Sequence, residues 1–212
     1  MNSSEEMILM LILCCLVSST SHASPLQNFC KADLNGPNSP AGYNCLPYDA
    51  VTAADFKYSF NGAPSIAVPS NTVLFPASVT EVPILNGLGI SGGCVEIEEG
   101  GIVPVHDHAA TEILLVQQGE ITVGLFTPRK AYQNTLQQGD LVVFPEGLRH
   151  YLINSGTGKA TAFAAFSSAN PRFRFLPIEL SANDVPSAII ARTTFLDEPQ
   201  VRKLKAFFNG TG

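Results

Sequence analysis

From about residue 64 to 180 the chain alternates short apolar-rich runs with Gly, Pro and Asn. The runs 94–98, 102–108, 111–118, 120–126, 141–144, 150–153 and 160–167 all have strand length. Turn signals separate them at close intervals: Asn86-Gly87, Gly100-Gly101, Gln118-Gly119, Gly139-Asp140 and Ser155-Gly156. No long 3.6-residue period intervenes, so the pattern predicts an all-β sandwich or barrel, not a parallel α/β sheet. Arg172, Phe173, Arg174 and Phe175 alternate as a strand with one apolar face, suited to barrel packing or to an interface. Helix is expected only at the C-terminus. Asp184–Arg192 is one candidate, and a second begins at Asp197 with Pro199 in its first turn, Gln200 three residues on, and Leu196 placed to staple to Val201. Val201, Leu204 and Phe208 recur at helical spacing, with Arg202, Lys203 and Lys205 expected on the solvated face.

Residues 7–17 form an apolar run of eleven. A membrane span needs about 20, so the run reads as the core of a secretory signal. Ser21-His22-Ala23 supplies a cleavage site before Ser24. Glu5 and Glu6 make the preceding stretch acidic where signals are basic, and a start at Met7 would remove both. The expected organisation is a signal peptide over 1–23, an N-terminal extension over 24–63, a barrel over 64–180 and helices for oligomer contacts over 181–212. No later run approaches membrane length, so no transmembrane segment is expected and the mature chain reads as soluble and exported.

Composition narrows the picture further. Of 212 residues, 45% are hydrophobic and only 14% charged, against roughly 25% charged in an average globular protein. That balance excludes a disordered chain. The net charge is −6 and the Lys and Arg residues are scattered. Without a basic stripe, no nucleic-acid partner is expected. Export also sets the redox context. Cys30 and Cys45 flank a turn-rich segment, Asn35–Gly42, that lets the chain double back. A disulfide there would close a loop of about 15 residues, worth roughly 3 kcal/mol in the chain-entropy model; two free thiols are the alternative. Cys94 sits in a strand-like run as a small buried hydrophobe, or, being the odd one, as an intermolecular bridge.

The chemistry concentrates in two short segments. His106 and His108 are two apart in a strand-like run, so their imidazoles share a face. Glu112 follows with the same parity after a brief interruption, and His150 comes just after the turn signal Pro145-Glu146-Gly147. Three imidazoles and a carboxylate suit an intermediate divalent ion such as manganese, iron or zinc. The bland alternative is three unrelated core or surface histidines. Asn209-Gly210-Thr211 is the one glycosylation sequon after the signal, close to the chain end, with Asn209 the acceptor.

Gly100-x5-His106-x-His108-x3-Glu112-x6-Gly119 and Gly139-x5-Pro145-x-Gly147-x2-His150-x3-Asn154 resemble the two cupin motifs at every fixed position. Leu26–Cys30, Ala110–Ile113, Val143–Leu148 and Phe166–Pro171 look like segments of the plant germins and germin-like proteins. Phe75–Val79 and Leu85–Ser91 look closest to the germin-like branch described as auxin-binding proteins. The resemblance runs from about residue 25 to the C-terminus. It implies a cupin jelly-roll β-barrel with a short C-terminal α-helical extension, holding manganese through His106, His108, Glu112 and His150. It also implies a secreted glycoprotein of the apoplast and cell wall, assembled as a homo-hexamer, a trimer of dimers.

Oxalate-active germins carry two asparagines before the first motif and a glutamine two residues after the last histidine. The corresponding positions here are Asn86, Gly93 and Leu152. Asn86 is read as a pocket residue or as half of a hairpin turn, and Leu152 as an apolar group facing the metal. Oxalate oxidation is therefore not expected. Superoxide needs only an open metal position, so the leading reading is a manganese superoxide dismutase with a role in defence or stress. The alternative is a non-catalytic binding or storage protein, of auxin-binding or nutrient-reservoir type, whose cavity takes an auxin-like carboxylate.

Overall fold

A computed structural model describes residues 28–212; the signal segment, its cleavage site and Met7 lie outside the described residues. The strands are β1 (Ile66–Val68), β2 (Thr72–Ala77), β3 (Ser91–Ile97), β4 (Ile102–His108), β5 (Glu112–Gln118), β6 (Ile121–Phe126), β7 (Ala131–Leu136), β8 (Leu141–Phe144), β9 (His150–Asn154), β10 (Ala160–Phe166) and β11 (Phe173–Phe175). They form two antiparallel sheets, ordered β1-β2-β3-β10-β5-β8 and β11-β4-β9-β6-β7. This is the jelly roll that the cupin resemblance implied, and it agrees with the sandwich or barrel expected from the turn spacing.

Alternation builds the interior. Ser91, Gly93, Val95 and Ile97 of β3 are buried while the residues between them are half-exposed. Ala160, Ala162, Ala164 and Phe166 do the same on β10, and Glu112, Leu114 and Val116 on β5. These faces meet Val103, Ile121, Val123, Phe144 and Leu152 in one core. Ile97 and Ile121 have no solvent exposure at all, so truncating either to Ala would cost about 2–5 kcal/mol.

One irregularity aims the site. On β4, Val103 pairs with Leu152 and His106 pairs with His150, so β4 carries one residue more than β9 across that interval. Pro104 has no N–H to give the ladder, and the strand bulges there. The bulge flips the parity, so that Val103 and both histidines all face inward.

The chain before the barrel is fastened to its rim. Cys30 and Cys45 are joined by a disulfide, and Cys94 is free. The Asn86 side chain accepts from Tyr43 N–H and donates to Tyr43 O and to Cys30 Sγ. Gly42 adopts φ +101°, and a Cβ on it would stand 2.7 Å from Asn86 Oδ1; only glycine fits that approach.

Helix departs from expectation in three ways. A short α1 (Leu176–Ser181) precedes α2 (Ser187–Thr194) and α3 (Glu198–Phe207), and brief 3-10 turns occur at 48–50, 53–56 and 83–85. Lys205 is not on the solvated face but 3% exposed. Its ammonium donates to Asn183 O, Asn183 Oδ1 and Thr211 O, which compensates for the water it loses. Strand β7 was not foreseen: five of its six residues are exposed, so it shows no apolar face, and pairing with β6 alone makes it a strand. Among the described residues no helix is long and apolar enough to cross a membrane.

Candidate metal centre

His106, His108, Glu112 and His150 meet inside one end of the barrel, all buried, with their ligand atoms within 4.8 Å of one another. The two motifs converge from opposite sheets. His106, His108 and His150 come from β4 and β9 of the five-stranded sheet, and Glu112 opens β5 of the other. Shared parity along one strand is therefore not what brings Glu112 to the histidines. The turn at 109–111 carries the chain across the barrel, and Glu112 faces back.

The tautomers are fixed by the backbone. Nδ1 of His106 lies 2.8 Å from Pro104 O, Nδ1 of His108 3.0 Å from Arg172 O, and Nδ1 of His150 3.0 Å from Leu148 O. A carbonyl only accepts, so each Nδ1 carries the proton and each Nε2 presents a lone pair. Glu112 Oε2 lies 3.1 Å from His108 Nε2 and 3.2 Å from His150 Nε2. His108 Nε2 is buried without a hydrogen-bond partner, since the carboxylate is close but out of line. Lone pairs facing lone pairs at such distances call for a cation between them. The donor set fits a metal ion on this ground, and carbonyls that accept from the far ring nitrogen are what ligating histidines ordinarily have.

Protonation agrees with the geometry. Burial, helped by the neighbouring His150 and His108, pushes His106 down to about 3, so its ring is neutral and free to ligate. Burial alone would raise the Glu112 carboxyl, but the imidazoles of His108 and His150 beside it outweigh that and hold it at about 2. Aromatic rings brace the ligands. Phe144 stacks on His150 at 4.0 Å between centroids, and Phe173 meets His108 edge-on at 4.5 Å. The Arg172–Phe175 alternation is thus β11, paired with β4 so that Phe173 stands opposite His108 and Phe175 opposite His106. Asp107, between the histidines, is itself buried and is held by Arg174 and Arg149.

A cavity of about 200 Å³ opens onto the ligands, walled by apolar groups including Val103, Leu114, Leu152 and Phe166. Leu152 lines it. Asn86 does not: its amide is spent on Tyr43 and Cys30 outside the cavity. Gly93 lines the cavity without a left-handed φ, and a Cβ there would meet Phe75 O at 3.2 Å. Asn209 is exposed at φ +59°, beyond the end of α3. Cys94 is half-buried, and burial followed by the charge of Glu96 pushes its thiol up, so it is a poor nucleophile.

Residues 60–202 match the cupin family. A germin-like protein of Arabidopsis thaliana, subfamily 3 member 3, is 43% identical over 201 residues, covering 92% of this chain and 94% of that protein. The chain belongs to the germin-like cupins. Auxin-binding protein ABP19b of Prunus persica is also 43% identical, over 204 residues, with 92% and 95% covered. A solved oxalate oxidase superposes with a TM-score of 0.80 at 32% identity, over 87% of this germin-like chain and 96% of its own.

Proposed function

We infer that this protein is a secreted, manganese-binding germin-like protein of the plant apoplast that dismutes superoxide. The observation that carries the reading is the fully oriented ligand set at the floor of a small cavity whose inner wall offers no amide for a dianion. When bound, manganese supplies the one-electron couple; two superoxide ions and two protons give dioxygen and hydrogen peroxide. The chain's own residues bind and orient. Pro104, Arg172 and Leu148 carbonyls hold the three rings, Glu112 contributes the compensating charge, and Val103, Leu114 and Leu152 keep the approach dry. Oxalate would need polar contacts each worth about 1.5–3 kcal/mol. Leu152 and Gly93 offer none from their side chains, so oxalate oxidation is not part of the proposal.

The apolar cavity of about 200 Å³ favours a second reading, a non-catalytic binding protein for a small carboxylate, in line with the names of the Prunus relatives. We also propose a homo-oligomer, a hexamer in keeping with the germin resemblance. Ile113, Leu115, Leu141 and Val143 stand side by side and exposed on β5 and β8, and Phe195 is 96% exposed at the end of α2. Such apolar surface seeks a partner.

Metal analysis followed by a superoxide assay at known manganese occupancy tests the reading. About one manganese per subunit and occupancy-proportional activity are expected, with both lost in His108→Ala. Metal retained in full by a variant lacking both His106 and His108 would overturn the ligand assignment. A manganese-loaded but inactive protein leaves the binding role.

A further inference from the structure

Arg172 has a backbone that asks for glycine and a side chain with no structural duty. Its φ is +52°, in the left-handed region that disfavours any residue with a Cβ. The turn that imposes this is fixed at both sides: Ala109 N–H donates to Pro171 O at 2.8 Å, and His108 Nδ1 donates to Arg172 O. Only main-chain atoms serve there, and glycine would supply them at lower cost. The guanidinium makes no hydrogen bond or ion pair with the described residues, whereas Arg174, two residues on, is bound to Asp107.

The position is informative. Arg172 is exposed and lines the outer part of the cavity, as the one Lys or Arg among its lining residues. The other lining residues with polar side chains that are not metal ligands and not fully buried are Asn170, Ser78, Thr80 and Glu81. Both hydroxyls are occupied with Glu81, whose carboxylate accepts from Ser78 N–H, Ser78 Oγ and Thr80 Oγ1. Among the described residues that leaves the Arg172 guanidinium and the Asn170 amide as donors without a partner on either side of Pro171. Backbone strain retained at a cavity mouth is the mark of a side chain kept for function.

We propose that Arg172, with Asn170 beside it, is an anion-capturing residue at the mouth of the cavity, drawing small anions toward the metal ligands. The inference rests on the cavity being the route to a bound metal, but not on superoxide being the substrate. A fixed cation at the entrance to a low-dielectric cleft raises the local concentration of anions and is screened by salt.

The test uses the full-length, manganese-loaded protein and azide as the probe anion, with binding read by electron paramagnetic resonance. Arg172→Gln and Arg172→Gly should weaken azide binding roughly three- to tenfold and flatten its dependence on ionic strength, as loss of one charge predicts. Arg172→Lys should keep most of both. Neutral imidazole should bind all four proteins alike, and Arg172→Gly should melt no lower than the parent because its backbone is relieved. Unchanged azide affinity in the Gln and Gly variants would overturn the proposal. So would parallel losses for azide and imidazole, which would mean a disturbed His108 rather than a lost charge. Azide capture requires no turnover, so an inactive enzyme would refute the dismutase reading and leave this one standing or falling by itself.

Discussion

At the scale of the residue, the site is defined by which atoms hold protons. Each histidine donates a hydrogen bond from Nδ1–H to a main-chain carbonyl, so the Nε2 lone pairs converge with the charge of Glu112. The metal-free protein should consequently be acid-sensitive. His106 is held at about 3 against an ordinary 6.5, and Glu112 at about 2 against 4.5. Both are lowered, so the unfolded chain binds more protons than the folded one, and stability rises with pH. The loss begins as pH falls below 6.5, where unfolded His106 charges, and deepens below 4.5, where the contribution of Glu112 starts to go. Melting temperatures of metal-stripped protein should fall steadily from pH 7 to pH 4, and a flat profile would contradict the assignment. Specificity is set at the same scale. Gly93→Asn with Leu152→Gln should raise oxalate turnover over the parent at equal manganese occupancy. Two placed amides contribute on the order of 1–3 kcal/mol together, or roughly 5- to 150-fold. The backbone at Gly93 accepts asparagine because its φ is ordinary, though the Cβ contact with Phe75 O at 3.2 Å needs a small shift.

At the scale of the element, the Pro104 bulge and the N-terminal loop do separate jobs. The bulge turns β4 so that its histidines face the cavity, while the loop, closed by Cys30–Cys45, is fastened through Asn86. Removing Asn86 should therefore affect stability and not the metal. Asn86→Ala strips the partners from Tyr43 N–H and C=O and is expected to cost about 1–3 kcal/mol. Thermal unfolding and metal content measured together decide the matter: a lower melting point with full manganese is the expected pair. Loss of metal in this variant would return Asn86 to the site. Non-reducing peptide mapping should recover Cys30 linked to Cys45, with Cys94 unpaired.

At the scale of the molecule, two of the exposed apolar regions among the described residues lie on different kinds of element. One is the β5–β8 patch, where Ile113 pairs with Val143 and Leu115 with Leu141 across the ladder. The other is helical, with Phe195 and Phe207 exposed and Leu196 and Leu204 beside them. Light scattering should give a mass well above the 22.6 kDa of one chain. Leu141→Lys with Val143→Lys should yield a smaller species that keeps its metal, because neither residue lines the cavity.

Local pattern alone determined a good deal. Inward strand faces, ligand types and the loop between Cys30 and Cys45 are legible because alternation, side-chain chemistry and turn residues act over a few positions. The cupin spacing makes His106, His108, Glu112 and His150 readable as one set from the sequence alone. Tertiary structure decided what depends on distant partners. Glu112 reaches the histidines from the facing sheet, not along their own strand. Asn86 turns away because Tyr43, 43 residues distant, offers its amide better partners than the cavity does. Lys205 is buried because the chain end and the loop before α2 fold their carbonyls around it. Strand β7 exists only through its ladder with β6, since polar side chains exposed on both faces carry no period to read. In each case a contact distant in sequence outweighs a local preference, and such contacts are chosen only when the whole chain packs.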